Sequence, residues 1–163
     1  MPKTTTQANP KIAQWLMVLT YLAGGVGLAI GFSTIQNDPP SLALATLFAV
    51  AAAGLLSFLR HSIFHRSDAV RMGWDLGKTN NFQIEVGIAN LAWGLLGLLA
   101  VVFGWGILVQ AGSILVFGLY LTGVAVFLLL SSRAGATRKW PNILAMAAFG
   151  VMLIVLGIMG INT

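Results

Sequence analysis

The chain has 163 residues, 58% of them hydrophobic and 8% charged, with nine Lys and Arg against four Asp and Glu. A soluble domain is roughly 45–50% apolar and about 25% charged, so this composition, with a mean hydropathy of +0.89, excludes an ordinary globular protein. The basic excess does not point to nucleic acid, because the cations flank apolar blocks instead of interleaving with stacking aromatics; the absence of Cys excludes disulfides, thiolate metal ligands and a Cys nucleophile.

The first apolar block runs from Ile12 to Phe32 behind a basic start at Lys3 and Lys11. Its 21 residues exceed the roughly 7–15 of a signal-peptide core, so it reads as a retained span. Asn37-Asp38-Pro39-Pro40 ends it and turns the chain. Ser41 to Leu59 is the second block, rich in Ala and closed by Arg60. From Val86 to Ser132 no residue is charged. Crossing the hydrocarbon takes about 20 residues, so this stretch holds two spans, with a turn expected near Gln110-Ala111-Gly112-Ser113. Asn142 to Ile161 is the fifth block, opened by Pro141 at a first helical position. The expected fold is an all-α, polytopic transmembrane bundle. It is one integral membrane domain with spans at about 12–32, 41–59, 86–108, 113–132 and 142–161 and a cytoplasmic loop at 60–85.

The nine cations orient that bundle. Lys3 and Lys11 precede the first span; Arg60, Arg66, Arg71 and Lys78 follow the second; Arg133, Arg138 and Lys139 follow the fourth. The alternate connections have none, and Lys and Arg resist translocation, so the N-terminus is expected in the cytoplasm and the C-terminus outside. Anionic headgroups of the inner leaflet are the natural partners of these charges. Trp15, Trp140 and Trp105 fall near span ends, as interfacial anchors do, whereas Trp93 and Trp74 do not.

Small residues mark where helices approach. The first span carries Gly24 and Gly27-x-x-x-Gly31; the third aligns Gly87, Asn90, Gly94, Gly97 and Gly104 on one stripe, with Ala89 and Ala92 on its other side. Gly118 and Thr122, and Gly157 and Gly160, serve likewise in the last two spans. Packing within the chain is the first reading of these stripes, and a homo-oligomer or a partner membrane subunit is the second.

Polar residues gather between Arg60 and Asn90. His61 and His65 are four apart and share a face if the second helix continues past Arg60, and Asp68 or Glu85 could add a carboxylate. Two imidazoles and a carboxylate suit Zn or Fe, yet two His are too few for the clusters of membrane di-iron enzymes; the pattern reads first as interfacial histidines beside Arg60 and Arg66, and no metal or other cofactor is expected. Glu85, at the mouth of the third span, is either a functional ionisable group or a first-turn acid, with Asn80 and Gln83 forming a capping box and Arg60, Arg66 or Lys78 as its ion partner. Asn90 should hydrogen-bond to another helix or line a polar cavity with Gln83. Ile63, Phe64, Val70, Met72, Trp74 and Leu76, interleaved with charges, suit a segment lying in the interface, with Gly73 bending the chain before Trp74. The candidate site is therefore His61, His65, Gln83, Glu85 and Asn90, with Arg60, Arg66, Arg71 and Lys78 as orienting or pairing cations.

Gly73-Trp74, then Phe82-Gln83-x-Glu85-Val86-Gly87-x-x-Asn90-Leu91, resembles a family of small bacterial membrane proteins of unknown function. In that family a His at the end of one hydrophobic helix, matched here by His61, precedes a GW element and an FQxEVGxANL-like helix start. The resemblance covers about residues 50–105. It supports the polytopic fold and the Glu85 region but implies no reaction; the expected location is the bacterial cytoplasmic (inner) membrane.

The absence of any soluble domain, nucleotide motif or complete catalytic set favours a non-enzymatic accessory, scaffold or lipid- or partner-binding membrane protein. A small transporter or channel with a polar cytoplasmic vestibule is the alternative. A membrane enzyme acting on a lipid-soluble substrate at the cytoplasmic face, with Glu85 or a His as base, is a third.

Overall fold

The computed structural model describes residues 8–73, 75, 77–131 and 140–163. Among them are six helices and no strand. They are α1 (Pro10–Thr34), α2 (Ala43–Ile63), α3 (His65–Met72), α4 (Asn81–Val102), α5 (Ile107–Ser131) and α6 (Trp140–Ile161). All but α3 are long and apolar enough to cross a membrane. The chain is a multi-pass membrane protein.

Local sequence sets the helix ends. Asn9 caps α1, its side chain accepting from the Lys11 amide at 3.1 Å, and Pro10 occupies a first-turn position whose amide has no intrahelical partner. Two π-helical turns, Leu47–Ala52 and Leu59–Ile63, interrupt α2 without breaking it, and carry it past Arg60 and His61. Gly73 closes α3 with φ +82°, the left-handed conformation that the bend at this position demands. The expected turn at Gln110–Ser113 is displaced. The chain turns at Phe103–Gly106, where Gly104 and Gly106 have positive φ, and residues 110–113 lie inside α5. Polarity is misleading there, because Gln110 and Ser113 are buried and Ser113 Oγ donates to the Gln110 carbonyl at 2.8 Å. The third span accordingly starts at Asn81 and ends at Val102, and the second extends to Ile63, so Arg60 and His61 belong to a helix and not to a loop. The fourth span's expected end at Ser132, with Trp74, Leu76, Lys3, Arg133, Arg138 and Lys139, lies outside the described residues.

The five long helices run alternately up and down. One end, called here the basic end, carries Lys11, Arg60 and α3; the other carries the turns after Thr34 and Val102. The interior is built from small and medium side chains, with Ala45, Ala49, Ala53 and Ala111 buried beside Leu42, Phe117, Leu153 and Leu156. Large apolar groups point outward instead, including Phe82 at 68% exposure and Leu130 at 64%, as lipid permits and water does not.

The small-residue stripes are spent inside the chain. A Cβ on Gly54 would stand 2.8 Å from the Asn90 carbonyl and from Gly94, so α2 and α4 touch backbone to backbone. Gly87 faces Ser62 and Gly97 faces Val50 on the same seam. Gly104 leaves this stripe, because the helix has already ended. Ala92, on the other side of α4, is exposed and Ala89 half-buried. Gly27 of α1 meets Ala49, Gly24 meets Phe149, and Gly118 of α5 lies against the Gly150 carbonyl of α6. Trp93, unexplained as an interfacial anchor, packs against the core. Trp105 is half-exposed in the α4–α5 turn and stacks on Phe103, with ring centroids 6.2 Å apart.

Candidate functional site

Helix α3 is laid across the basic end with its polar side inward. Ser67, Asp68 and Ala69 are buried while Val70 is exposed, the reverse of an interfacial helix that offers its apolar face to lipid. Ordinary amphipathic logic would leave Asp68 in water. The arrangement holds because neighbouring elements bring donors to it.

Asp68 is 1% exposed and is the hub. Arg71, one turn later on α3, donates to Oδ1 from Nε at 2.9 Å and from Nη2 at 2.8 Å. Gln83, in the first turn of α4, donates from Nε2 to Oδ2 at 2.8 Å. His61, in the last turn of α2, sets Nδ1 3.2 Å from Oδ2, with the ring turned away from a straight N–H bond. The Leu59–Ile63 π turn holds this ring position; its wide closure is the Phe64 amide donating to the Leu59 carbonyl at 2.9 Å.

The tautomer of His61 follows from its other neighbour. Arg60 Nη2 lies 2.7 Å from His61 Nε2. A guanidinium can only donate, so Nε2 presents its lone pair and the ring proton sits on Nδ1, towards the carboxylate. His61 is thus neutral, wedged between a cation and an anion. Burial alone would push the Asp68 carboxyl up, but the His61 contact together with the charges of Arg60 and Arg71 holds it at about 2. Asp68 remains ionised throughout the physiological range.

Two further contacts fasten α3. The Asn9 amide donates to Ser67 Oγ at 3.0 Å, and Arg71 Nη1 lies 3.4 Å from Met17 Sδ, so both tie α3 to α1. At its end, Arg66 pairs with Asp75 at 3.5 Å. Between α2 and α4, Ser62 Oγ donates to the Ile84 carbonyl at 3.1 Å.

The candidate residues divide accordingly. His61 and Gln83 join the hub with Arg60 and Arg71. His65 does not: its Nδ1 donates to the Ser62 carbonyl at 2.9 Å, so the two histidines have different hydrogen-bond partners. Among the described residues no three His, Asp or Glu side chains converge as metal ligands. Asn80 caps α4 through the Gln83 amide at 3.1 Å, but the Gln83 side chain is committed to Asp68, so the capping box is half-formed. Glu85 has no ion partner among the described residues, contrary to its expected pairing with Arg60, Arg66 or Lys78. It stands on the exposed face of α4 between Phe82 and Ile88, while Gln83, Gly87 and Asn90 turn inward. Lys78 is exposed. Asn90 donates to the Val86 carbonyl of its own helix at 2.8 Å and lies 3.4 Å from the Tyr120 hydroxyl of α5, a long bond across helices.

In the sequence alone Asp68 stands only as an optional carboxylate. The signal for its larger role is the i, i+3 spacing of Asp68 and Arg71 on a short helix between two span ends.

Several buried polar atoms around the hub have no hydrogen-bond partner among the described residues: Arg60 Nε, His61 Nδ1, His65 Nε2, Arg66 Nε and Gln83 Oε1. The cluster can therefore neutralise and position charge, and it retains unused donors on Arg60. Its acid is fully engaged.

No curated protein and no solved structure matches the chain. A family model does, over residues 12–160, and the chain belongs to that family of unknown function, DUF6790.

Proposed function

We propose that this protein is a non-enzymatic membrane protein of the bacterial inner membrane that binds a lipid or a partner subunit. Its basic end lies in the cytoplasm and its C-terminus outside. The observation that carries the reading is the engagement of Asp68. A general base works best with a pKa near the operating pH and a lone pair aimed at substrate. Asp68 sits at about 2, and its oxygens already accept from Arg71 and Gln83 with His61 in contact. Glu85 stands apart from every other candidate group and has no partner among the described residues to orient it. What remains chemically available at the basic end is positive charge, which binds.

The transporter reading has less support. Beyond the hub the helix seams are chiefly Gly and Ala contacts, and the buried polar side chains there, Thr46, Ser57, Asn90, Gln110 and Ser113, are few in a close-packed interior, where a route across would need a continuous polar lining.

Purification into native-lipid nanodiscs tests the function. A lipid or membrane subunit retained in stoichiometric amount, with no conversion of added lipid, is the expected result; lipid turnover abolished by His61→Ala or Glu85→Gln would replace this reading with the enzymatic one. Orientation is tested separately by single Cys residues at Asp38 and Thr79, both exposed. They should label from opposite sides of the membrane.

A further inference from the structure

We propose that Arg60 is the centre of a binding site for a phosphate anion at the cytoplasmic end of α2, a site that deepens and rests on the binding function above. At the hub two guanidinium groups, Arg60 and Arg71, face one carboxylate, Asp68, and His61 is neutral because its Nε2 accepts from Arg60. One positive charge is left without a counter-charge, and Glu85 is turned to the opposite face of α4. A buried charge without a partner is costly, so such a cation is held for something.

The hydrogen bonds locate the deficit. Asp68 takes its hydrogen bonds from Arg71 and Gln83, with His61 Nδ1 in contact at 3.2 Å. Arg60 gives one bond, from Nη2 to His61 Nε2 at 2.7 Å, and its Nε is buried without a partner among the described residues. His61 consequently holds the plane of the guanidinium fixed while most of its donors stay unused. A planar fork of N–H groups matches two oxygens of a phosphate, which a point-like ammonium does not.

The surroundings favour the same class of ligand. Tyr21 of α1 and Tyr120 of α5 lie within electrostatic reach of Arg60. Arg60 as a whole residue retains partial exposure, while its Nε is enclosed. Finally, it stands in the last turn of a membrane span, at the level where lipid phosphates lie. A phospholipid headgroup and a free phosphate share this chemistry, and the experiment separates them.

The whole protein in dodecylmaltoside micelles is titrated with dioctanoyl phosphatidate, dioctanoylglycerol or inorganic phosphate, and binding is followed by native mass spectrometry. Phosphatidate should bind saturably and dioctanoylglycerol should not, and R60Q should weaken phosphatidate binding at least about tenfold, the scale of one lost charge-assisted bond. If R60Q does not fold, R60K keeps the charge and loses the fork, and its affinity should fall below that of the parent. R66Q, altering a cation already paired with Asp75, should bind like the parent. Competition by inorganic phosphate assigns the site to the free anion, and lack of competition assigns it to the headgroup. Equal binding of phosphatidate and dioctanoylglycerol, or parental affinity in folded R60Q or R60K, overturns the site. Release of phosphate from phosphatidate would overturn the non-enzymatic function and leave the site standing, so the two failures are distinguishable.

Discussion

The α5–α6 pair and the basic end hold this bundle together by opposite means. Along α5 and α6 there is no ion pair among the described residues; Gly118 meets the Gly150 carbonyl, Thr122 meets Gly150 and Gly157 meets Leu115, so the helices are joined by backbone proximity. At the basic end a helix of eight residues is held by a carboxylate that accepts from Arg71 of its own helix and Gln83 of α4, with His61 of α2 in contact at 3.2 Å. In lipid the hydrophobic effect does not draw helices together, so either close fit or polar bonding must do so. This molecule uses the first where the membrane is driest and the second at its edge. The two regions should therefore fail under different stresses.

Asp68→Ala is the most damaging single change expected. It removes the only acid at the hub and leaves the charges of Arg60 and Arg71 without it, a loss on the order of 3–5 kcal/mol, read as a fall in the thermal midpoint of the micellar protein. Asp68→Glu should recover part of it. Gly118→Leu ranks next. Its side chain would enter the space of the Gly150 carbonyl and the Ile154 amide, both under 3 Å from a Cβ, and overpacking of this kind costs about 1–3 kcal/mol. The comparison is broken if this loss varies with salt or pH, since no charge is involved.

Acid should separate the two regions in the unmodified protein. The folded pKa of Asp68, about 2, lies below its ordinary 3.8. A depressed carboxylate stabilises above the unfolded value and loses that contribution as pH falls through the folded one. Each pH unit between the two values corresponds to roughly 1.4 kcal/mol, so about 2 kcal/mol should disappear as the pH falls from about 4 to about 2. Hydrogen exchange should show α3 loosening in that window while α5 and α6 stay protected. Glu85→Gln marks the lower limit: with no partner among the described residues, it should alter stability by less than about 0.5 kcal/mol.

The spans were legible because lipid imposes a length and a composition that a single sequence displays. The turn after Val102 was not. In an uncharged stretch polarity is the only visible guide, and it favours Gln110–Ser113, whereas the backbone needs the left-handed conformations of Gly104 and Gly106. The stretch that holds the polar cluster was legible too, since both His and most acids occupy it. Its centre was not. Choosing Asp68 over Glu85 requires knowing that the Gln83 face of α4, and not the Glu85 face, turns towards α3 and that the π turn holds the His61 ring beside it. Both are matters of register between helices, which spacing along one chain does not encode.

The Asp68–Gln83 bond also sets an order of events. Asp68 precedes its amide partner by fifteen positions, so during synthesis the acid is made before the helix that will cover it. At about 5–20 residues per second that interval lasts on the order of a second, and α3 can settle only when it ends. Two more ties, from Ser67 to Asn9 and from Arg71 to Met17, join it to the first helix of the bundle. The short helix is thus the point where the earliest and the middle parts of the chain are checked against each other, and a ribosome stalled before Gln83 should leave it open to protease.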